Sequence, residues 1–292
     1  MAIFYLIMRY ETIIDPMAAG THVGDGSWAF IDCRFDMKDP DVGEREYEKC
    51  HVPSAVYAHL DRDLSGPVIA GVTGRHPLPS RAELVGTFRR LGIGKATQVV
   101  TYDESNGSMA AARLWWLLRW AGHAAAALLD GGIQKWKSCG FALESGVVYR
   151  PMSDFEGRFR SDMTLDASQV QSVLANADFV VLDSRTEERF RGLNETIDPV
   201  AGHIPGAFSA PYKENLRDDG TFKTPQELAS RFAGLASGRD AAHVVFYCGS
   251  GVTAAHNVLA FAHAGNGVPL LYPGSWSEWI TDAGRPIAVG AS

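Results

Sequence analysis

Residues 248–253, Cys-Gly-Ser-Gly-Val-Thr within "VVFYCGSGVTAAHN", combine a thiol, two hydroxyls and two glycines. The run before them, Val244 to Tyr247, has the β-branched and aromatic character of a buried strand. After them Val252, Ala255, Leu259 and Ala262 recur at helical spacing. A cysteine between a strand and a helix falls at the carboxyl edge of an α/β sheet, where ligands bind. Gly249 and Gly251 allow a tight bend whose amides can point inward as a nest for negative charge, and the positive end of the helix dipole adds to it. Both effects favour thiolate over thiol and predict a pKa below the value of about 8.5 for free cysteine. Cys248 is therefore expected to be a nucleophile. For Cys33, Cys50 and Cys139 no such setting exists, and each is expected to be a small buried hydrophobe.

The elements that must position Cys248 occur twice. "FIDCRFD" at 30–36 corresponds to "VLDSRTE" at 181–187, "HVPSAV" at 51–56 to "HIPGAF" at 203–208, and "LLDGGIQKW" at 128–136 to "LYPGSWSEW" at 271–279. "VVTYDESNGSMAA" at 99–111 corresponds to "VVFYCGSGVTAA" at 244–255, which puts Asp103 where the second copy has Cys248. The chain is a collinear duplication in which one half carries the thiol and the other does not. Within each half, short β-branched runs alternate with longer segments of helical period, such as the strongly apolar Leu114, Trp115, Leu117 and Leu118. That alternation predicts an α/β fold of two tandem domains, each a mostly parallel sheet flanked by helices. Residues 1–145 are expected to form the first, silent domain, 146–165 an aperiodic linker, and 166–292 the catalytic domain. Arg34 and Arg185, His51 and His203 recur in both halves and are expected to be structural; Trp115, Trp116, Trp276 and Trp279 are expected to pack.

Several classes of function are disfavoured. The chain carries 27 Lys+Arg against 34 Asp+Glu, a net charge of −7, and has no basic run to neutralise phosphates, so nucleic acid is not an expected partner. Its four cysteines are scattered without a CxxC pair, which suggests neither a zinc site nor a disulfide framework. No metal or organic cofactor is expected. The apolar start "MAIFYLIMRY" is shorter than the ~20 residues of a spanning helix and lacks a cleavage signature, so it reads as an extension into a first strand, with no membrane partner and a cytoplasmic setting. Cysteine-dependent phosphatases also place Cys before an anion-binding loop, but they need an arginine six residues later. Position 254 is Ala, and no cation lies between Cys248 and Ala255.

Taken together, the motifs resemble the two-domain sulfurtransferases of the rhodanese type. The similarity spans nearly the whole chain, and the loop Cys248-Gly249-Ser250-Gly251-Val252-Thr253 is most similar to the 3-mercaptopyruvate branch. The resemblance implies a Cys248 persulfide, a small-molecule sulfur donor and a thiol, protein thiol or cyanide acceptor. It makes Gly249, Gly251, Val252 and Thr253 part of the binding loop and Arg189 the holder of the substrate carboxylate, a task suited to a guanidinium fork. It implies a relay from Asp61 through His76 to Ser250; Arg75, in the same loop as His76, is a candidate to add positive charge to the cleft. A second arginine usual in that branch is missing from "GLNETIDPVAGH", and Arg191 is a candidate substitute. The neutral loop favours mercaptopyruvate over the thiosulfate dianion; thiosulfate:cyanide sulfurtransfer and a non-catalytic sulfur carrier are the alternatives.

Overall fold

The computed structural model describes residues 9–291; most of the N-terminal extension read from "MAIFYLIMRY" lies outside them. The first half runs β1 (Ile13–Ile14), α1 (Pro16–Gly20), β2 (Trp28–Asp32), α2 (Val42–Lys49), β3 (Val56–Tyr57), α3 (Leu60–Asp63), α4 (Arg81–Arg90), β4 (Gln98–Tyr102), α5 (Ala111–Trp120), β5 (Ala126–Leu129) and α6 (Gly132–Ser138). The second half runs α7 (Ala167–Val173), β6 (Val180–Asp183), α8 (Glu187–Phe190), β7 (Phe208–Ser209), α9 (Pro225–Ala236), β8 (Val244–Tyr247), α10 (Thr253–His263), β9 (Leu270–Leu271) and α11 (Ser275–Trp279). Every strand pairing is parallel, in the orders β1-β5-β4-β2-β3 and β7-β6-β8-β9. This is the duplicated α/β architecture expected from the sequence.

The central strands are buried on both faces, and their alternation separates two cores. In β8, Val244 and Phe246 face one apolar core while Val245 and Tyr247 face another; β2 divides Ala29 and Ile31 from Trp28 and Phe30 in the same way. The first core in each case is one continuous cluster that runs through both halves, and α5 packs against α10 inside it. Cys248 belongs to that shared core. The outer cores bury Trp136 in the first half and Trp276 and Trp279 in the second, and Trp115 and Trp116 are enclosed in the shared one.

Each repeated signature locks a strand end. Arg34 Nη2 donates to Asp32 at 2.7 Å and to the Cys50 carbonyl at 2.6 Å, and Arg185 Nη2 repeats both distances to Asp183 and the Gly202 carbonyl. His51 and His203 hydrogen-bond the carbonyls of Tyr47 and Phe190. Residues 146–165 contain no helix or strand, yet their backbone is tied to both halves, by Ser153 to Arg89, Arg158 to Ala121 and Leu165 to Leu271. Burial pushes the Cys33 thiol well up, as befits an inert core residue. The expectation of burial fails for Cys139, which caps the end of α6 in solvent, and Cys50 is only half-buried.

Candidate active site

Cys248 follows β8 directly and is 2% exposed. Helix α11 braces its backbone. Ser275 Oγ accepts from the Cys248 amide at 3.1 Å, and the amides of Trp276 and Ser277 donate to the carbonyls of Cys248 and Gly249, both at 2.9 Å. The next amides, from Gly249 to Ala254, find no acceptor among the described residues, and α10 starts without a side-chain cap. An uncapped helix start following a glycine turn is a set of donors waiting for negative charge. Gly251 has φ +74°, and a Cβ there would run into the Pro273 carbonyl, so the turn excludes any side chain at that point. The Val252 side chain is buried in the core, so its contribution to the loop is its amide; Thr253 is the first residue of α10.

The first half shows what such a loop holds. Asp103 accepts the amides of Ser105 and Gly107 at 2.8 Å each, and those of Met109 and Ala111 at 3.2 Å each. The first loop thus fills its own nest with a carboxylate. In the second, sulfur stands at the matching position and the amides remain free.

Two residues of the first half, Asp61 and His76, approach this loop. Asp61 lies in the first turn of α3, which His59 caps by accepting the amides of Asp61 and Arg62. His76 lies in the connection to α4, whose start is set by a capping box between Ser80 and Glu83. Ser250 Oγ is 2.8 Å from His76 Nδ1, and His76 Nε2 is 3.3 Å from Asp61 Oδ1. An ionised carboxylate only accepts, so Asp61 assigns the proton to Nε2 and leaves Nδ1 as the acceptor of the Ser250 hydroxyl. Burial holds His76 below the usual imidazole range, opposed by Asp61 and reinforced by Arg113 and Arg75. The hydrogen bond from His76 in turn lowers Asp61. A neutral imidazole facing a hydroxyl two residues from a thiol can take a proton and return it.

Sequence reasoning missed Arg113. It lies on α5, is fully buried, and donates to the Gly251 carbonyl at 3.0 Å and the His76 carbonyl at 3.1 Å. One guanidinium of the first half therefore ties the Cys248 loop to His76. It has no carboxylate partner among the described residues; burial lowers its pKa to about 10, with Cys248 acting in the opposite direction. A single cation inside "AARLWW" was the available signal, because a buried polar group is more informative than the apolar residues around it.

Arg189 lies in the last turn of α8, and its Nε lies 2.9 and 3.1 Å from the Glu195 oxygens while Nη2 lies 2.8 Å from Asp198. Arg75 also pairs with Asp198. Burial raises the Asp198 carboxyl against the pull of both arginines. For Glu195, burial is outweighed by Arg189 and by the amides of Asp198 and Ile197, and its carboxyl is lowered. Arg191, which caps the C-terminus of α8, does not reach the loop: it is exposed and held by Glu187 at 2.8 Å. The loop that reads as neutral is also not so in space, since Arg75, Arg113 and Arg189 border it. Among the described residues no cluster of three or more His, Cys, Asp or Glu is placed to hold a metal ion, and no helix is long and apolar enough to cross a membrane.

Fold and site define a tandem α/β protein in which one half bears a cysteine in an amide-lined loop and the other brings a hydrogen-bonded aspartate and histidine to it. A profile of the rhodanese-like domain matches residues 16–139 and 166–282. The chain belongs to the rhodanese-like family, and it is a sulfurtransferase. It is 49% identical over 261 residues, 89% of this chain and 92% of the relative, to a protein of Pseudomonas aeruginosa named "Probable 3-mercaptopyruvate sulfurtransferase". A Mycobacterium tuberculosis relative carrying a thiosulfate sulfurtransferase name is 40% identical over 274 residues, 90% of this chain and 92% of its own. The crystal structure of the 3-mercaptopyruvate sulfotransferase SseA from Escherichia coli superposes with a TM-score of 0.79 at 30% identity, covering 92% of this chain and all of that one.

Proposed function

We propose that the protein moves sulfur from 3-mercaptopyruvate through a persulfide on Cys248 to a thiol, a protein thiol or cyanide, releasing pyruvate. The observation that carries this reading is the line Asp61–His76–Ser250, which ends two residues from Cys248 with contacts of 3.3 and 2.8 Å. Thiosulfate needs no proton relay, since sulfite leaves as a stable anion. With mercaptopyruvate the carbon fragment leaves as the enolate of pyruvate and needs a proton at carbon.

The Cys248 thiolate attacks the donor sulfur; the sulfur–carbon bond breaks and its electron pair becomes the enolate of pyruvate. The proton lost by the donor thiol passes by way of Ser250 and His76 to the methylene carbon, giving pyruvate. Arg189 holds the carboxylate throughout. The persulfide anion remains in the nest of amides from Gly249 to Ala254, the counterpart of the nest that Asp103 fills. A thiolate or cyanide then attacks the outer sulfur and the Cys248 thiolate is restored, with no metal or organic cofactor in the cycle. Four free cysteines, Cys139 exposed among them, support a reducing cytoplasmic setting.

One observation favours thiosulfate as donor: the cationic ends of Arg75 and Arg189 lie beside Gly249. Comparing kcat/KM for the two donors decides, and a clear preference for thiosulfate overturns the substrate assignment. Mass spectrometry after treatment with 3-mercaptopyruvate should show a gain of about 32 Da, one sulfur atom, on Cys248 and none at that position in Cys248→Ser. Absence of the adduct from the wild type would rule out the covalent route.

A further inference from the structure

The repeat that sets Asp103 opposite Cys248 holds a second asymmetry. The pairing of 128–136 with 271–279 puts Leu129 opposite Tyr272 and Lys135 opposite Glu278. In the first copy both positions are satisfied: Leu129 is enclosed in an apolar core, and Lys135 Nζ reaches Asp219 of the other half at 3.0 Å. In the second copy neither is. Tyr272 is fully buried, and its hydroxyl has no hydrogen-bond partner among the described residues. The half-buried Glu278 carboxylate likewise meets no donor and no cation among them, because Arg285 is engaged by Asp282 and by the carbonyls of Glu278 and Trp279.

Both groups line one cavity of about 420 Å³ between the halves, with Val72, Pro77 and Leu78 from the first half and Asp166 and Pro273 from the second. It shares no lining residue with the hollow that contains Asp61, His76 and Arg75. Glycines let its walls come together: a Cβ on Gly274 would collide with the Glu278 carboxylate, and one on Gly74 would come within 2.6 Å of the Gly274 carbonyl. Burial raises the Glu278 carboxyl, opposed by Arg285 and reinforced by Asp166. A carboxylate stripped of part of its water and left without a partner gains from a cation placed beside it. No Lys or Arg lines the cavity, so it offers an anion no countercharge. Its valine, leucine and proline walls suit a hydrocarbon chain rather than the oxygen ligands of a metal ion.

We propose that this cavity is a second ligand site, separate from the Cys248 cleft, which takes the ammonium group of a small alkylamine. Of the three N–H donors of the ammonium, Glu278 accepts one and the Tyr272 oxygen another, while the alkyl chain lies against Val72 and Leu78. The two copies then solve the same contact in opposite ways. In the first, the chain supplies the cation, Lys135, to a carboxylate of the other half; in the second, the chain supplies the carboxylate and the ligand brings the cation. The site lies behind the nucleophile loop, where Gly251 abuts the Pro273 carbonyl, and it does not depend on which sulfur donor the protein uses.

The test titrates the intact protein with n-butylammonium chloride at constant ionic strength and follows the amide resonances of Gly274 and Glu278 by NMR, with n-butanol as the neutral probe of equal chain length. Those resonances should shift saturably with n-butylammonium, at a Kd about tenfold or more below that of n-butanol. The Kd for n-butylammonium should rise about tenfold in Glu278→Gln, the scale of one lost charge-assisted contact, and about threefold in Tyr272→Phe, which removes one neutral acceptor. Absence of a saturable shift overturns the proposal. So does equal affinity for n-butanol, because the cavity would then be merely apolar, and so does an unchanged Kd in either variant. Tighter binding of magnesium chloride at the same amides overturns it in favour of a metal site. If a variant does not fold, the comparison of charged and neutral probes on the wild type decides alone.

Discussion

Neutral His76 receives the Ser250 hydroxyl on one nitrogen and is oriented by Asp61 on the other, so the relay is sensitive to the protonation of one ring. Burial lowers its pKa and the Asp61 carboxylate works against that shift, since a nearby anion stabilises the imidazolium. Replacing Asp61 with Asn removes the opposing effect, so the His76 pKa should move further down. NMR titration of the His76 ring should show that displacement to lower pH, and kcat with 3-mercaptopyruvate should fall by about tenfold or more because the ring is no longer held in its productive tautomer. A His76 titration that moves upward in Asp61→Asn would contradict the assigned contact.

The two loop-to-helix elements differ in what occupies them. In the first half, Asp103 is hydrogen-bonded by four amides of its own loop before α5; Asp103→Ala leaves them without an acceptor and should cost about 1–3 kcal/mol, measured as a lower urea midpoint. In the second half the turn into α10 at Gly251 is strained for any residue but glycine. Gly251→Ala must adopt a left-handed conformation, at roughly 1–2 kcal/mol, and also displace the Pro273 carbonyl. Thermal unfolding should show the loss of stability. Sulfur transfer should be lost beyond what the unfolded fraction explains, since moving this turn moves Ser250 and the Arg113 contact with it.

At the scale of the molecule, the two halves share one continuous core. The shared core takes Leu114 and Trp116 from α5 and Val258 and Leu259 from α10, and polar ties such as Phe222 to Asp130 and Thr12 to His263 close its edges. Calorimetry should therefore record a single cooperative transition with equal calorimetric and van't Hoff enthalpies, where independent domains would give two. A fragment of residues 166–292 keeps Cys248, Ser250 and Arg189 but loses Asp61, His76, Arg75 and Arg113. It should not turn over 3-mercaptopyruvate, and recovery of full activity by the fragment alone would contradict an active site built from both halves.

Local chemistry and repetition make much of this legible in the amino-acid sequence. The thiol between strand and glycine turn, the collinear duplication with Asp103 opposite Cys248, and the parallel α/β plan all follow from neighbouring residues and their period, because strands and helices leave periodic marks in a chain. The roles of Asp61 and His76 could be named through resemblance, but composition did not show that they meet Ser250. What depended on the tertiary structure was charge. A run without Lys or Arg reads as neutral, yet Arg75, Arg113 and Arg189 reach it from three distant segments, and Glu195 and Asp198 are spent on orienting two of them. Electrostatic interaction acts through space, and the contacts that bring these groups together are made by the packing of one half on the other, to which spacing along the sequence has no direct relation.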